Sequence, residues 1–354
     1  MSLFSYLVEG LLAFFTTFGV ELLFLAALLV FSVLIAGVLA PLGALSWWAG
    51  WSGGVTGTTA AGRAGGGEEL APPVVFPPSP AELAAPAEHF IVYLSGIGDV
   101  SATSLHAYEL GYIEALAATL PHARIIDDIF AFSVTNVGLT EDERLGRFWR
   151  WMTRVRSGTG RGAALSKMAI QGRNMLQVAV SADRRYGPVF NYGTANSIFQ
   201  NLLEAGYEPG SGVPVTLIGY SGGGQVVLAS AQYLKPALAG PLQVISLGGV
   251  MADSAGLAAA DEVIHLNSKL DSVQSLADYL FPRRWPLARS SRWNRALASG
   301  KLRRIEVGPM LHNGPRGYLD PDVQLADGRS HLEATVAVTT TLVNHFRAQV
   351  EVWS

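Results

Sequence analysis

The chain has 354 residues, a formal net charge of -3 at pH 7 and no cysteine. The missing cysteine excludes disulfides, thiolate nucleophiles and cysteine-ligated metal sites, and the nearly balanced charge gives no overall attraction to nucleic acid. A mean hydropathy of +0.29 is too apolar for a simple soluble domain. The excess of apolar residues lies at the amino-terminal end.

That apolar end predicts a membrane anchor. Residues 22–46 begin with a long charge-free run, and about 20 apolar residues in a helix cross the hydrocarbon of a bilayer, so we expect one transmembrane helix. Residues 1–21 are apolar but short for a second span, which favours an interfacial helix and leaves a helical hairpin open. A cleaved signal peptide is the alternative; it needs a basic start, and no Lys or Arg precedes Arg63.

Residues 53–88 are rich in Gly and then in Pro, a composition that cannot bury a core and is typical of a linker. Residues 89–354 then have the length of one α/β domain. Arg63 is the basic residue nearest to the expected span, and it lies on the carboxyl-terminal side of it. Because positive charge stays inside, we expect the domain on the cytoplasmic side of the membrane.

Within residues 89–354, apolar β-branched runs alternate with segments compatible with helix. Strands are predicted at 90–94, 124–126 with a continuation at 129–132, 213–218, 242–247, 263–267 and 304–307. Such alternation predicts a doubly wound, mostly parallel sheet with helices on both faces. In sheets of this kind the functional groups lie at the carboxyl ends of the strands.

The third of these strands runs into Gly219-Tyr220-Ser221-Gly222-Gly223, a G-x-S-x-G sequence, and a helix-compatible segment follows from Gln225. A sharp turn from strand to helix strains the backbone of Ser221 and requires glycine where a side chain would collide. Ser221 is therefore a candidate nucleophile, and the Gly222 N–H and the helix N-terminus would face an oxyanion. The segment resembles the nucleophile elbow of the α/β-hydrolase superfamily. A plain Gly-rich turn is the alternative interpretation.

The resemblance implies further parts of a serine-hydrolase site, in a fixed chain order. The loop after the first strand would supply a second oxyanion N–H, which we assign to Ile97 with Gly98 as the alternative. The same glycines could belong to a dinucleotide-binding loop, but the full G-x-G-x-x-G is absent. The acid would follow a later strand, where Asp271 stands. Its rival is Asp253, after the preceding strand.

The resemblance also implies a histidine in the loop after the last strand. His312 fits this position, and His331, just before the terminal helix, is the alternative base. A serine hydroxyl needs a histidine to accept its proton, and the histidine needs a carboxylate to fix its tautomer. The expected triad is therefore Ser221, His312 and Asp271. No cofactor or metal is implied.

Two basic stretches with interleaved aromatic residues lie near residues 141–187 and 281–304. Arginine with tryptophan suits an anionic membrane surface, and the first stretch is long enough to cover an active site. The alternative is a solvated helix face whose arginines pair with nearby acids. An RNA-binding surface is a further alternative, but no RNA-binding motif accompanies these residues.

Together these features predict a membrane-anchored, esterase- or lipase-like serine hydrolase that cleaves carboxylic esters, with a small-molecule or lipid ester as substrate and no nucleic-acid partner. An acyltransferase or thioesterase would use the same residues. A non-catalytic membrane scaffold on the same fold is the third possibility, because a fold does not fix a function.

Overall fold

The structure, a computed structural model, describes residues 87–101, 104–133, 136, 139, 146–158 and 160–353. The expected interfacial segment 1–21, the expected transmembrane helix 22–46 and all but the last two residues of the expected linker 53–88 lie outside these ranges. Within the ranges described, none of the helices combines the length and the apolar character needed to cross a membrane.

Six strands form one sheet in the order β2-β1-β3-β4-β5-β6. They are β1 (His89–Leu94), β2 (Ala123–Ile126), β3 (Val215–Tyr220), β4 (Leu242–Leu247), β5 (Glu262–Asn267) and β6 (Leu302–Glu306). Every neighbouring pair is parallel, so all carboxyl ends lie at the same edge. The predicted parallel α/β sheet is confirmed.

The helices run between and after these strands. They are α1 (Ala107–Thr119), α2 (Gly146–Arg156), α3 (Arg161–Ala182), α4 (Gly187–Glu204), α5 (Gly222–Leu238), α6 (Gly256–Ala259), α7 (Ser272–Leu280), α8 (Arg292–Ala298) and α9 (His331–Trp353). A 3-10 turn at Pro282–Arg284 lies between α7 and α8.

Both faces of the sheet are buried, which explains why its strands are nearly continuous apolar runs. Successive residues of β1 point to opposite faces. Val92 belongs to a core that includes side chains of α3, α4 and α5, whereas Tyr93 belongs to a core that includes side chains of α1 and α9. Helices therefore cover the sheet on both sides.

The structure corrects the extent of one predicted strand. β2 ends at Ile126, and Ile129–Phe132, which we expected to continue it, form a buried turn. These side chains pack in the core that contains α3, and no strand of the described ranges pairs with them. A short apolar run indicates burial but does not by itself distinguish a strand from a buried turn.

The strand order changes direction at β1. The strand that follows it in the chain, β2, pairs with one side of β1, and β3 pairs with the other. At such a switch point the loops that leave adjacent strands diverge and open a crevice at the carboxyl edge. The loop after β1 and the turn after β3 border this crevice.

The packing of α6 on α5 makes one residue intolerant of any side chain. A Cβ on Gly256 would lie well inside contact distance of the Leu228 carbonyl oxygen, whereas a Cβ on Gly111 in α1 would meet nothing within 4 Å. We expect Gly256→Ala to destabilise the full chain by about 2 kcal/mol or more, because α6 must move away from α5. Gly111→Ala should stabilise it by roughly 0.5–1 kcal/mol, the usual difference within a helix.

Denaturant unfolding of the full chain in detergent measures both changes. The Gly111→Ala control isolates the effect of the added methyl group from that of its surroundings. Equal stability of the two variants would contradict the described contact between α5 and α6.

Candidate active site

Ser221 lies at a sharp turn between β3 and α5. Its φ of 52° and ψ of -119° place a non-glycine residue in a sparsely populated backbone conformation. A Cβ on Gly219 would lie 2.5 Å from the Gly223 carbonyl oxygen, and a Cβ on Gly223 would lie 2.5 Å from the Leu94 carbonyl oxygen at the end of β1. The two glycines of the G-x-S-x-G sequence are therefore required by backbone that passes close to them.

The structure brings Ser221, His312 and Asp271 into one hydrogen-bonded chain. Ser221 Oγ lies 2.8 Å from His312 Nε2, and His312 Nδ1 lies 2.9 Å from Asp271 Oδ2. Because a carboxylate only accepts hydrogen bonds, Nδ1 carries the proton and Nε2 is left to accept from the serine hydroxyl. The three residues follow β3, β6 and β5, whose carboxyl ends share one edge of the sheet.

Asp271 is fully buried, and its carboxylate accepts four hydrogen bonds. As the N-cap of α7 it accepts the N–H groups of Val273 and Gln274 on Oδ1, at 2.9 and 3.0 Å. Its Oδ2 accepts from His312 Nδ1 and, at 3.0 Å, from the Tyr318 hydroxyl. Donors therefore fix both oxygens, and the helix N-terminus stabilises the negative charge.

Two tyrosines and a glycine that sequence reasoning did not single out shape this arrangement. Tyr220 donates its hydroxyl to the His312 carbonyl at 2.7 Å, and its ring stacks on the imidazole at an interplanar angle of 17°. Gly248 has a φ of 58°, and a Cβ there would lie 2.8 Å from the Tyr318 ring and 3.0 Å from Asp271 Oδ2. The bare backbone of Gly248 leaves room for the acid and for Tyr318.

The alternative base and acid lie elsewhere. His331 is the first residue of α9, and its buried Nδ1 donates to the Gly317 carbonyl at 3.0 Å. Asp253 accepts the Trp293 N–H and pairs with Arg283. Among the described residues neither side chain bonds to Ser221 or His312, so the structure gives both of them structural partners.

Two backbone N–H groups border the crevice, that of Ile97 in the loop after β1 and that of Gly222 in the turn after β3. A Cβ on Gly222 would lie 2.6 Å from Ile97 Cγ2, so the loop after β1 touches the turn at Ser221. Within the described ranges no acceptor takes the N–H of either Ile97 or Gly222. The neighbouring Gly98 lies against another side chain, since a Cβ there would be 2.8 Å from His106 Nε2.

A pair of buried carboxyl groups lies behind this loop, and no sequence signal marked it. Glu109 on α1 accepts the Tyr93 hydroxyl at 2.8 Å and the Gly96 N–H at 3.2 Å. Neither carboxyl oxygen of Asp99 has a hydrogen-bond partner in the described part of the chain. Burial and then the charge of Glu109 raise the pKa of Asp99 to about 8. Asp99 is therefore mainly protonated at neutral pH.

The chain matches no protein-family model and no curated protein. It is an α/β protein with a six-stranded parallel sheet. Across the described residues no group of three or more His, Asp or Glu side chains is arranged to hold a metal ion. The arrangement around Ser221 can nevertheless move a proton from a hydroxyl to an imidazole and present N–H groups to a negative charge.

The buried carboxyl of Asp99 predicts a pH dependence. An aspartate in an unfolded chain has a pKa near 3.8, against about 8 in the folded protein. Between these values the folded state holds a proton that the unfolded state has released. The free energy of unfolding therefore falls as pH rises, at most by about 1.4 kcal/mol per pH unit.

Asparagine resembles the protonated acid and does not titrate. We therefore expect Asp99→Asn to stabilise the protein relative to the native chain by an amount that grows from about pH 5 to about pH 8 and then levels off. Denaturant unfolding at several pH values within this range measures the difference. A difference that stays constant with pH would show that Asp99 is ionised throughout.

Proposed function

We propose that the protein is a serine hydrolase of the α/β-hydrolase type that cleaves carboxylic esters through an acyl-enzyme. The observation that carries this proposal is the unbroken hydrogen-bonded chain from Ser221 through His312 to Asp271. Its position supports the same conclusion, because the serine stands on a strained turn between a parallel strand and a helix. The six-stranded parallel sheet is consistent with this superfamily.

In the first half of the reaction, His312 Nε2 takes the hydroxyl proton as Ser221 Oγ attacks the ester carbonyl carbon. The carbonyl oxygen becomes an oxyanion. It accepts hydrogen bonds from the N–H group of Ile97, in the loop after β1, and from the N–H group of Gly222, at the N-terminus of α5. The imidazolium then gives its proton to the departing alkoxide. The alcohol leaves, and the acyl group remains on Ser221.

In the second half, His312 takes a proton from a water molecule that attacks the acyl carbon. The second oxyanion collapses, the carboxylic acid departs, and the proton returns from His312 to Ser221. Asp271 stays ionised and stabilises the imidazolium in both halves. Its four donors hold it in position without protonating it.

The second part of the proposal is that this site works at an anionic membrane surface, to which the apolar residues 22–46 anchor the chain. Residues 146–187 contain nine basic residues and a single acidic one. Large apolar side chains of α2 and α3 are nevertheless between 47% and 56% exposed: Phe148, Trp151, Leu165, Met168 and Met175. Basic residues beside exposed apolar ones suit the headgroup region of an anionic bilayer.

A second exposed apolar surface adjoins the proposed acid. Val273, Leu276 and Leu280 are exposed on α7, at helical spacing and directly after Asp271. Leu287, in the connection to α8, is 91% exposed. Exposed apolar groups of this size commonly mark a contact surface. A lipid ester that enters the crevice from a bilayer would meet such a surface at its mouth.

The nucleophile and base can be tested together. We expect Ser221→Ala to lower kcat for a short soluble ester about 10³-fold or more, as for loss of a triad residue, with the chain still folded because the elbow glycines remain. His312→Ala should lose as much, and the double variant no more, since the two residues act as one unit. His331→Ala is the matched control and should stay active. Labelling with a fluorophosphonate reports the same serine independently.

If Ser221→Ala retained turnover, the proposal that the protein is a serine hydrolase would be wrong. A fluorophosphonate-reactive Ser221 that releases no acid in water but transfers acyl groups to an added alcohol or thiol would indicate the acyltransferase alternative. If the chain neither reacted with the fluorophosphonate nor turned over any ester, the non-catalytic scaffold would be the remaining alternative.

The membrane surface can be tested separately in nanodiscs that contain the full chain. We expect a several-fold higher turnover of a long-chain ester in discs with phosphatidylserine than in discs of phosphatidylcholine alone, since each nearby arginine contributes roughly 1 kcal/mol at an anionic surface. Reversing the charge of Arg147 and Arg154 to Glu should remove this difference. Turnover of a short soluble ester should stay unchanged.

Arg329→Glu, a charge reversal at an exposed residue outside both basic stretches, controls for the net charge of each single variant, Arg147→Glu or Arg154→Glu. If that control lost the lipid preference equally, a general electrostatic effect would replace the specific surface. If no variant changed the lipid preference, α2 and α3 would not face the bilayer.

A further inference from the structure

The loop after β1 is held by side chains of α2 and α3 that the proposed chemistry does not use. Asn174 on α3 is fully buried, and its side-chain Nδ2 donates to the Ile97 carbonyl at 3.0 Å and to the Asp99 carbonyl at 2.7 Å. Arg156 at the end of α2 donates to the Gly98 carbonyl at 2.6 Å. Three successive carbonyl groups of the loop are thus hydrogen-bonded from one side.

The opposite end of the loop is held by α1. Glu109 accepts the Gly96 N–H at 3.2 Å, and the Tyr93 hydroxyl bonds to the same carboxyl oxygen at 2.8 Å. The loop therefore has a carboxyl group at one end and an amide at the other. Both groups are buried, so neither is replaced easily by water.

Because peptide groups are planar, these contacts restrict the orientation of the Ile97 N–H. In a trans peptide the C=O of one residue and the N–H of the next point in opposite directions. Glu109 fixes the peptide between Ser95 and Gly96, and Asn174 fixes the peptide between Ile97 and Gly98. The peptide that carries the Ile97 N–H lies between them, so both of its neighbours are constrained.

We propose that Asn174 is a positioning residue, which fixes the Ile97 N–H so that it can bind the oxyanion. This inference rests on the proposed function and adds to it a residue that never touches the substrate. The amide nitrogen of Asn174 has two hydrogens, and both are donated to the loop, while its Oδ1 accepts from Arg173 at 3.1 Å. Every polar atom of the amide is used, which determines which way the amide faces.

The composition of α3 agrees with this role. Its buried face is mostly polar, with Ser166, Asn174, Gln177 and Ser181 beside Ile170. An apolar side chain of similar size would bury more apolar surface there, whereas an amide without partners would be costly. An asparagine at this position is therefore explained by the carbonyl groups that it meets.

Asn174→Asp is the sharpest test, because it keeps the size of the side chain and replaces the donor by an oxygen that repels the two loop carbonyls. Loss of one oxyanion donor costs about 10²–10³-fold in kcat, so we expect about a 10- to 100-fold fall when the donor is displaced. KM should change little. Affinity for a trifluoromethyl ketone, which forms a tetrahedral adduct on the serine, should fall together with kcat/KM.

The matched control is Asn191→Asp in α4. Asn191 is also a buried asparagine that bonds to α3, through the Ser181 hydroxyl at 2.7 Å and the Ser181 carbonyl at 3.0 Å, and among the described residues it has no hydrogen bond to the loop. Asn191→Asp should lower the stability of the protein and leave kcat and ketone affinity unchanged per active site. Active sites are counted by fluorophosphonate labelling of the full chain. Asn174→Ser keeps one donor, so its kcat and ketone affinity should lie between those of the native chain and of Asn174→Asp. This variant tests the inference if Asn174→Asp does not fold.

Failure of this inference differs from failure of the proposed function. If Ser221→Ala is inactive but Asn174→Asp and Asn174→Ser keep the native kcat and ketone affinity, Asn174 does not position the donor. If Asn174→Asp and Asn191→Asp lose activity equally, the effect is general packing of α3, which also overturns the inference. If Ser221→Ala retains turnover, the proposed function itself fails.

Discussion

The buried carboxylate of Asp271 is the constraint on which the site depends. A charge that is removed from water must be met by donors, and here two separate parts of the chain supply four of them. Two belong to the first turn of α7, and the other two, His312 and Tyr318, belong to the loop after β6. Satisfying this one group therefore fixes the start of a helix, the orientation of His312 and the path of the chain beyond it.

The parallel sheet makes this convergence possible. Residues that follow different strands lie at one edge because every strand runs in the same direction, so positions 91 and 41 residues apart in the chain come within hydrogen-bonding distance. β4 supplies none of the three side chains. Its contribution is Gly248, whose missing Cβ leaves space between neighbouring strands for the acid and its tyrosine.

The sequence was informative where chemistry is local. The G-x-S-x-G sequence between a strand and a helix predicts the turn at Ser221 because close backbone contacts demand those glycines within a few residues. The sheet itself also followed from local patterns of apolar residues. Chain order singled out Asp271 and His312, and in the structure His312 bonds to Ser221 while Asp271 bonds to His312.

What could not be predicted depends on contacts between distant segments. Tyr318, Glu109 and Asn174 are ordinary residues in their own neighbourhoods, and a single acid or amide on a helix is usually exposed. Only the folded chain shows that each faces a partner from another element. The incorrect strand prediction at Ile129–Phe132 has a different cause. These residues are apolar because they are buried in the core that contains α3, and they form a turn because no strand of the described ranges pairs with them.

The position of α3 has a mechanical consequence. The loop after β1 has few internal bonds of its own at Ile97 and Gly98, and its carbonyl groups are tied to α2 and α3 instead. The stiffness of the loop at Ile97 and Asp99 therefore depends on how firmly α3 rests on α5, the helix that begins beside Ser221. The contact between α3 and α5 thus supports both the loop after β1 and the turn at Ser221. If this contact were looser, both sides of the crevice would become more flexible.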